Sequence, residues 1–355
     1  MKIVVYAITK NEEKFVNRWF NSMKEADEIY VLDTGSTDNT VELLKELGVN
    51  VKSEVINPWR FDVARNKSLE MVPLDADICV CTDLDEIFEP GWRKHLEEEF
   101  IGANRLRYNY IWSFDKYGNP AVNFYQEKIH SRDGYEWVNP VHEVLKCNLD
   151  NEVVKTTDLI TLKHYPDSTK SRSSYLPLLE LAVKEEPSND RNMHYLGREY
   201  MFYGKYDKAI DTLKKHLEMS SATWKEERCA SLRFISRCYK LKGDLDNACL
   251  YGLKAINECP NVREGYLECA YAYYLENNYL ICSLLLKAAL EIKSNNKIYI
   301  NEPACYDGTI EDLLAVCLYY LGKYEEAYEY ANMAYELDPE NERIINNREI
   351  IKGKV

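Results

Sequence analysis

The sequence predicts an α/β domain at the front of the chain and an all-α helical-repeat domain behind it. Three observations carry this expectation. Short apolar runs alternate with amphipathic stretches up to about residue 165. From about residue 172 the strand-like runs stop and helical patterning continues to the end. Within that second half one turn phrase recurs four times. The expected division is 1–170 and 171–355. A length of 355 residues suits two domains, and 46% hydrophobic residues are enough for packed cores.

The front elements follow in order. IVVYAI (3–8) reads as a short buried strand. Phe15, Val16, Trp19, Phe20 and Met23 then recur at helical spacing, which gives one apolar stripe. EIYVLD (28–33) reads as a second strand, and TVELLKELG (40–48) as a helix closed by Gly48. VNVKSEVI (49–56) is a third strand, ARNKSLEMV (64–72) a helix and ADICVCTD (76–83) a fourth strand. Such alternation implies a parallel sheet with right-handed crossovers. RLRYNYIWS (105–113) and VNFYQEKIHS (122–131) read as longer strands, antiparallel at one side of the sheet. LITLKHYPD (159–167) carries a strand that ends at His164.

In the second half YGKYDKAI (203–210), KGDLDNAC (242–249), ENNYLICS (276–283) and LGKYEEAY (321–328) match in position. Each has a small or polar turn, then an aromatic residue or Leu, then a small residue three later. From Gly204 to Gly243, Asn277 and Gly322 the spacings are 39, 34 and 45 residues. The longest contains the insertion SNNKIYINEPACYDG (294–308). The phrase resembles the tetratricopeptide repeat, whose period is about 34 residues. That resemblance implies stacked helical hairpins in which large rings pack against small residues, which accounts for many of the 28 tyrosines. It also implies a concave surface for a peptide or a second subunit, with a homodimer through the helical half as one expectation.

The charge narrows the function classes. A net charge of −14 argues against a general nucleic-acid binder, which needs Lys and Arg to meet phosphate. Eleven cysteines without a C-x-x-C pair read as reduced thiols, and thiolate zinc sites are not expected. No apolar run reaches the roughly 20 residues of a membrane span. The chain therefore reads as cytoplasmic, with no transmembrane segment.

Chemistry concentrates where the predicted strands end. Asp33 closes the second strand in DTGSTDNT (33–40), where open parallel sheets bind ligands and a carboxylate can accept from a nucleobase N–H. Gly35 allows a tight turn, Ser36 or Thr37 can cap the next helix, and Asp38 favours its positive end. In AITKNEE (7–13), Thr9 and Glu12 fit a capping box, and their loop opens onto the same edge, where both are candidate ligand contacts. FDVARNKS (61–68) sets Arg65 at the start of a helix, at the rim of that crevice, to meet a diphosphate or a base edge. Asp83 and Asp85 close the fourth strand. Alternation puts both carboxylates on one side with Leu84 turned inward. Adjacent like charges are costly unless a cation joins them, and hard oxygen ligands suit Mg²⁺ or Mn²⁺.

The succession AITKNEE, VLDTGSTDNT, ARN and CTDLDE resembles family 2 glycosyltransferases of the GT-A fold in order and spacing, over roughly residues 1–165. The resemblance implies a Rossmann-like mixed sheet and a UDP-sugar donor. By it Thr9, Asp33 and Arg65 line the uridine and diphosphate site, Asp83 reaches the ribose or the metal, and Asp85 binds Mn²⁺ or Mg²⁺ directly. WVNPVHEVL (137–145) places His142 and Glu143 side by side. Glu143 is matched to the acceptor's base and His164 to the metal shell. His142 is able to exchange with either, and Asp133 and Glu136 are rival bases. The acceptor expected is a peptide, a protein or a surface glycan. No clear Q-x-x-R-W motif is present, so processive polysaccharide synthases match poorly. Two other readings stand beside this one. A non-catalytic repeat adaptor could carry a nucleotide-binding front domain. A nucleotidyltransferase would want a Gly-rich phosphate loop, and AITKNEE has no Gly.

Overall fold

The computed structural model describes residues 1–167, 173–293 and 297–355. One compact unit is Met1–Leu178 with Lys297–Tyr299, and the rest of the described chain forms the second. The expected boundary at 170/171 lies outside the described residues.

The front unit runs β1 (Ile3–Thr9), α1 (Glu13–Met23), β2 (Glu28–Asp33), α2 (Thr40–Glu46), β3 (Asn50–Ser53), α3 (Phe61–Glu70) and β4 (Ile78–Thr82). Then come β5 (Glu86–Phe88), α4 (Trp92–Glu99), β6 (Arg105–Phe114), β7 (Pro120–Ser131), β8 (Tyr135–Val138), β9 (Val144–Cys147) and β10 (Val154–His164). Eight strands form one mixed sheet in the order β3-β2-β1-β4-β7-β6-β10-β5, and β8 pairs with β9 separately. β1 pairs in parallel with β2 and β4, and β2 with β3. β7 runs antiparallel to both β4 and β6, while β10 is parallel to β6 and antiparallel to β5.

β1 is buried along its whole length because both sheet faces are covered. Ile3, Val5 and Ala7 meet the α1 stripe of Val16, Trp19 and Met23. Val4 and Tyr6 face Leu69, Cys79, Cys81 and Trp137. The second cluster hides a closed polar chain. Trp137 Nε1 donates to the Tyr6 hydroxyl at 2.9 Å, and that hydroxyl lies 2.8 Å from His130 Nε2. His130 Nδ1 is 2.7 Å from the Ser131 carbonyl, which only accepts, so Nδ1 carries the proton and Nε2 accepts from Tyr6.

The helical elements are α5 (Tyr175–Glu185), α6 (Asp190–Phe202), α7 (Tyr206–Glu218), α8 (Lys225–Leu241), α9 (Leu245–Glu258), α10 (Arg263–Leu275), α11 (Tyr279–Glu291), a 3₁₀ turn at Pro303–Cys305, α12 (Thr309–Tyr320), α13 (Tyr324–Leu337) and α14 (Glu342–Lys352). α6–α7, α8–α9, α10–α11 and α12–α13 are helical hairpins. The recurring phrase is their turn. Gly204, Gly243, Asn277 and Gly322 all take the left-handed conformation, with φ of 68°, 80°, 60° and 74°. In each, the next amide closes onto the carbonyl five residues back: Lys205 on Tyr200, Asp244 on Tyr239, Asn278 on Tyr273 and Lys323 on Leu318, at 2.9–3.0 Å. Small residues then admit the neighbouring helix, and a Cβ on Gly252 would come 2.8 Å from the Cys269 backbone.

Several local expectations change. β3 covers only Asn50–Ser53, α2 ends at Glu46, and α3 begins at Phe61, so Arg65 lies a full turn inside it. Thr9 and Glu12 form no capping box, because Glu12 is itself the N-cap of α1, and Thr9 is the last residue of β1. Ser36 and Thr37 do not cap α2, whose N-cap is Asn39. Asp38 does that work, accepting from the Thr40 amide and from the Glu13 amide at the start of α1. All eleven cysteines are free thiols, ten of them buried. Among the described residues no helix is long and apolar enough to cross a membrane.

Burial pushes His130 and His194 down to about 3 from the ordinary 6.5. Each therefore stays neutral when folded and takes a proton on unfolding below about pH 6.5. Stability is lost as pH falls through that window, by about 1.4 kcal/mol per pH unit for each such histidine well below 6.5. The melting temperature should fall from pH 7 to pH 5, and His130→Gln should show a shallower fall in the same scan.

Candidate active site

Three neighbouring parallel strands bring their carboxyl ends together, with β1 between β2 and β4. Thr9 ends β1 opposite Asp33, which ends β2. Asp33 is buried and accepts from the Ser36 amide at 3.0 Å and the Gly35 amide at 3.4 Å. Gly35 takes a φ of 110°, which lets the chain fold back onto that carboxylate. Thr34 donates through both its amide and hydroxyl to the Thr9 carbonyl at 2.9 Å. The two loops are further clasped by Asn11, whose amide reaches Ser36 Oγ and whose Oδ1 accepts from the Thr37 amide. Thr9 Oγ1 is buried and has no hydrogen-bond partner among the described residues. Buried hydroxyls are ordinarily paired, so this one is available to a ligand.

Asp83 and Asp85 lie in a tight turn between β4 and β5, closed by the Glu86 amide on the Asp83 carbonyl at 3.1 Å. They are not alternating strand residues as expected, although Leu84 between them is fully buried. The turn sends the two carboxylates to different partners. Asp83 accepts from Arg65 Nη2 at 2.8 Å and Lys128 Nζ at 2.9 Å. Its side chain is 32% exposed. Burial alone would raise its pKa, but Arg65 and Lys128 outweigh that and hold it well below the usual carboxylate range. Asp85 Oδ2 lies 3.4 Å from His164 Nε2.

The sequence places Arg65 at an exposed rim, but the side chain is buried. Its guanidinium also donates to Glu143 Oε1 at 2.6 Å and Cys81 Sγ at 3.2 Å, and it lies 5.2 Å over the Trp137 ring. A planar fork with five donors suits such bridging. Asn66, its neighbour on α3, exchanges two hydrogen bonds of 2.8 Å with the Trp137 backbone and so fixes β8 against the helix. Glu143 thus joins Arg65 and Asp83 from 78 residues away. His142 precedes it with φ of 52°, and its ring meets Tyr175 edge-on at 5.7 Å. Left-handed backbone at a non-glycine residue costs about 1–3 kcal/mol and is held only where surroundings enforce it. The rival bases stand apart: Asp133 is exposed, and Glu136 pairs with Lys146 across β8 and β9 at 2.8 Å. Glu12 donates its amide to Thr40 Oγ1 at 2.8 Å, which binds the β1–α1 loop to α2.

His164 Nδ1 is 3.0 Å from the Trp112 carbonyl, so Nδ1 carries the proton, and the ring stacks on Trp112 at 4.3 Å. A neutral His164 then points a bare Nε2 at a carboxylate oxygen, and two acceptors at 3.4 Å call for a proton or a cation between them. Burial lowers the His164 pKa, but Asp85 outweighs burial and the net direction is up. An imidazole and a carboxylate suit Mn²⁺ better than Mg²⁺, which prefers oxygen alone.

Sequence reasoning missed Glu86, Lys128 and Tyr110. Glu86 is fully buried and accepts from the Asp83 amide at 2.8 Å, from Tyr110 at 2.7 Å and from Lys128 at 3.4 Å. Burial raises its pKa, reinforced by Asp83 and Asp85. The available signal was Lys128, a lone cation in the middle of a long strand pattern.

The chain matches the family described as Glycosyl transferase family 2 over residues 4–137. Over these residues the chain is similar to family 2 glycosyltransferases. An uncharacterized glycosyltransferase of Rickettsia typhi is 35% identical over 108 residues, covering 30% of this chain and 36% of the relative. The SPbeta prophage-derived glycosyltransferase SunS of Bacillus subtilis is 27% identical over 237 residues, covering 61% of this chain and 52% of the relative. The chain thus spans between about a third and a half of the length of these curated relatives. A solved tetratricopeptide protein from Thermus thermophilus shows 19% identity over 51% of this chain and 89% of its own, with a TM-score of 0.37. The family 2 match contains Thr9, Asp33, Arg65, Asp83 and Asp85 and stops before His142, Glu143 and His164.

Arg65→Met should destabilise the domain by on the order of 3 kcal/mol, as breaking a buried ion pair does. The loss is kept at the low end because Asp83 is part-exposed and retains Lys128. Adding Glu143→Gln to that variant should recover part of the loss in a denaturant melt.

Proposed function

We propose that the protein is a metal-dependent, inverting glycosyltransferase that moves a sugar from a UDP-sugar to a peptide, protein or surface-glycan acceptor. The observation that carries this reading is the gathering of Asp33, Thr9 and the Asp83–Asp85 turn at one sheet edge, with His164 facing Asp85. Asp33 and the buried Thr9 hydroxyl would bind the nucleoside, and Arg65 would hold Asp83 toward the ribose and diphosphate. Asp85 and His164 are the residues that would hold a divalent cation, which supplies Lewis-acid neutralisation of the departing diphosphate.

Glu143 would act as base. The acceptor heteroatom forms a bond to the anomeric carbon as the carbon–oxygen bond to UDP breaks. That bond's electron pair leaves with the diphosphate, and the acceptor proton passes to Glu143. Such a base contributes about 10²–10⁴ in rate. Arg65 holds Glu143 Oε1, so the base is oriented from the same guanidinium that orients Asp83. His142 stands next to this carboxylate as the alternative base. The helical hairpins would present the acceptor or join two copies of the chain, as repeat arrays offer extended faces. Eleven free thiols support a reducing, cytoplasmic setting.

Thermal melts with UDP, GDP and CTP, each with and without Mn²⁺, test the reading. Stabilisation by UDP with Mn²⁺ is the expected result. A response to CTP alone would favour a nucleotidyltransferase, and no response to any nucleotide would favour an adaptor. Asp85→Asn should fold, lose the Mn²⁺-dependent shift and consume UDP-sugar at least about 100-fold more slowly. Unchanged consumption would remove the metal role.

A further inference from the structure

The second unit contains a cluster that the transferase reading does not use. We propose that Asp190, His216 and Glu227 form a site for a divalent transition-metal ion inside the helical unit. The three come from different helices: Asp190 is the first residue of α6, His216 lies in the last turn of α7, and Glu227 lies in the first turn of α8. One ligand atom from each lies within 4.8 Å of the others.

The second, independent observation is His216 itself. Its side chain is 0% exposed, and its Nε2 makes no hydrogen bond among the described residues. That nitrogen stands 3.5 Å from Glu227 Oε1. Two ligands bound tetrahedrally at about 2.0–2.2 Å are separated by roughly 3.3–3.6 Å, so this spacing is one edge of a metal's coordination shell.

The hydrogen-bond chain behind His216 sets its tautomer. Ser231 Oγ lies 2.7 Å from His194 Nδ1 and 2.9 Å from His216 Nδ1. A hydroxyl has one proton, so one imidazole accepts it and the other donates Nδ1–H to the oxygen. If His216 accepts, it carries a buried Nε2–H that finds no hydrogen bond, which is costly. If His216 donates, its Nε2 is a bare lone pair facing a carboxylate, and a cation between them satisfies that nitrogen. His194 Nε2 has no hydrogen-bond partner among the described residues either way and does not discriminate. The Nδ1–H to Ser231 contact is then the outer support that orients a ligating imidazole.

Charge and access agree with a metal. Two carboxylates and one neutral imidazole offset a divalent ion almost fully. His216 and Glu227 are buried while Asp190 is half-buried, which leaves an entry on the Asp190 side. Mixed imidazole and carboxylate donors suit zinc, manganese, iron or cobalt. No thiolate is involved, so the scattered cysteines do not bear on this site. A bound ion would join the ends of three consecutive helices and stabilise the array by mass action.

Cobalt is the probe. The full chain carrying Asp85→Asn, which disables the front site, is stripped with a chelator and titrated with Co²⁺. One equivalent should bind with visible d–d absorption, and Zn²⁺ should displace it and raise the melting temperature. Asp190→Asn, at a half-buried helix start, should keep the circular dichroism of the parent and weaken Co²⁺ binding at least tenfold. Glu227→Gln should do the same, and His216→Gln should abolish binding if it folds. Absence of d–d bands and of any thermal gain would overturn the proposal. So would Co²⁺ binding that both Asp190→Asn and Glu227→Gln leave unchanged.

Discussion

A short link governs the front unit. β4 and β5 are separated only by Asp83, Leu84 and Asp85, yet they stand fourth and eighth in the sheet order. Four steps between chain residues reach at most about 14 Å. Four strand spacings in a flat sheet would require about 19 Å. The sheet must therefore curl until its far edge returns toward its centre. Buried Leu84 anchors the link, and the two flanking carboxylates are left facing whatever the curled strands bring to them.

The curl explains the polar contents of the site. β7 brings Lys128, β6 brings Tyr110 and the Trp112 carbonyl, and β10 brings His164 in register with Glu86. Lys128 answers Asp83, Tyr110 answers Glu86, and His164 faces Asp85 while the Trp112 carbonyl holds its other nitrogen. Asp83, Asp85 and Glu86 would repel one another in an apolar setting. Here Arg65 and Lys128 neutralise the first and Tyr110 supports the last. Asp85 has His164, whose charge depends on its proton. Buried charges of this kind cost stability unless every partner is present, which is why they mark function more than fold.

Much of this was legible in the sequence. The continuous apolar run of β1 and the helical stripe of Phe15, Val16, Trp19 and Met23 declared their elements, because periodicity reports burial directly. The four hairpin turns were legible for a different reason: a left-handed residue restricts the choice to Gly or Asn. Asp33 and Asp85 could be picked out because strand ends in open sheets collect ligands. What stayed hidden was long-range pairing. Nothing local says that Arg65 lies buried between Asp83 and Glu143, or that Lys128 points at the same carboxylate. Asp83 and Asp85 read as alternating strand residues, and the curl turned them to separate partners. The caps failed on a smaller scale, since the side chains of the β1 and β2 loops bond across to each other rather than within their own helices.

The hairpin closure has a consequence for how such a chain can change over generations. All four hairpins end on one backbone device, a left-handed residue and an amide reaching back five positions, and none of its hydrogen bonds involves a neighbouring hairpin. A copied or deleted hairpin would carry its own closure with it. The length of the array is therefore a quantity that gene duplication can adjust in whole units, while the sheet, whose strands are locked by a three-residue link, has no comparable freedom.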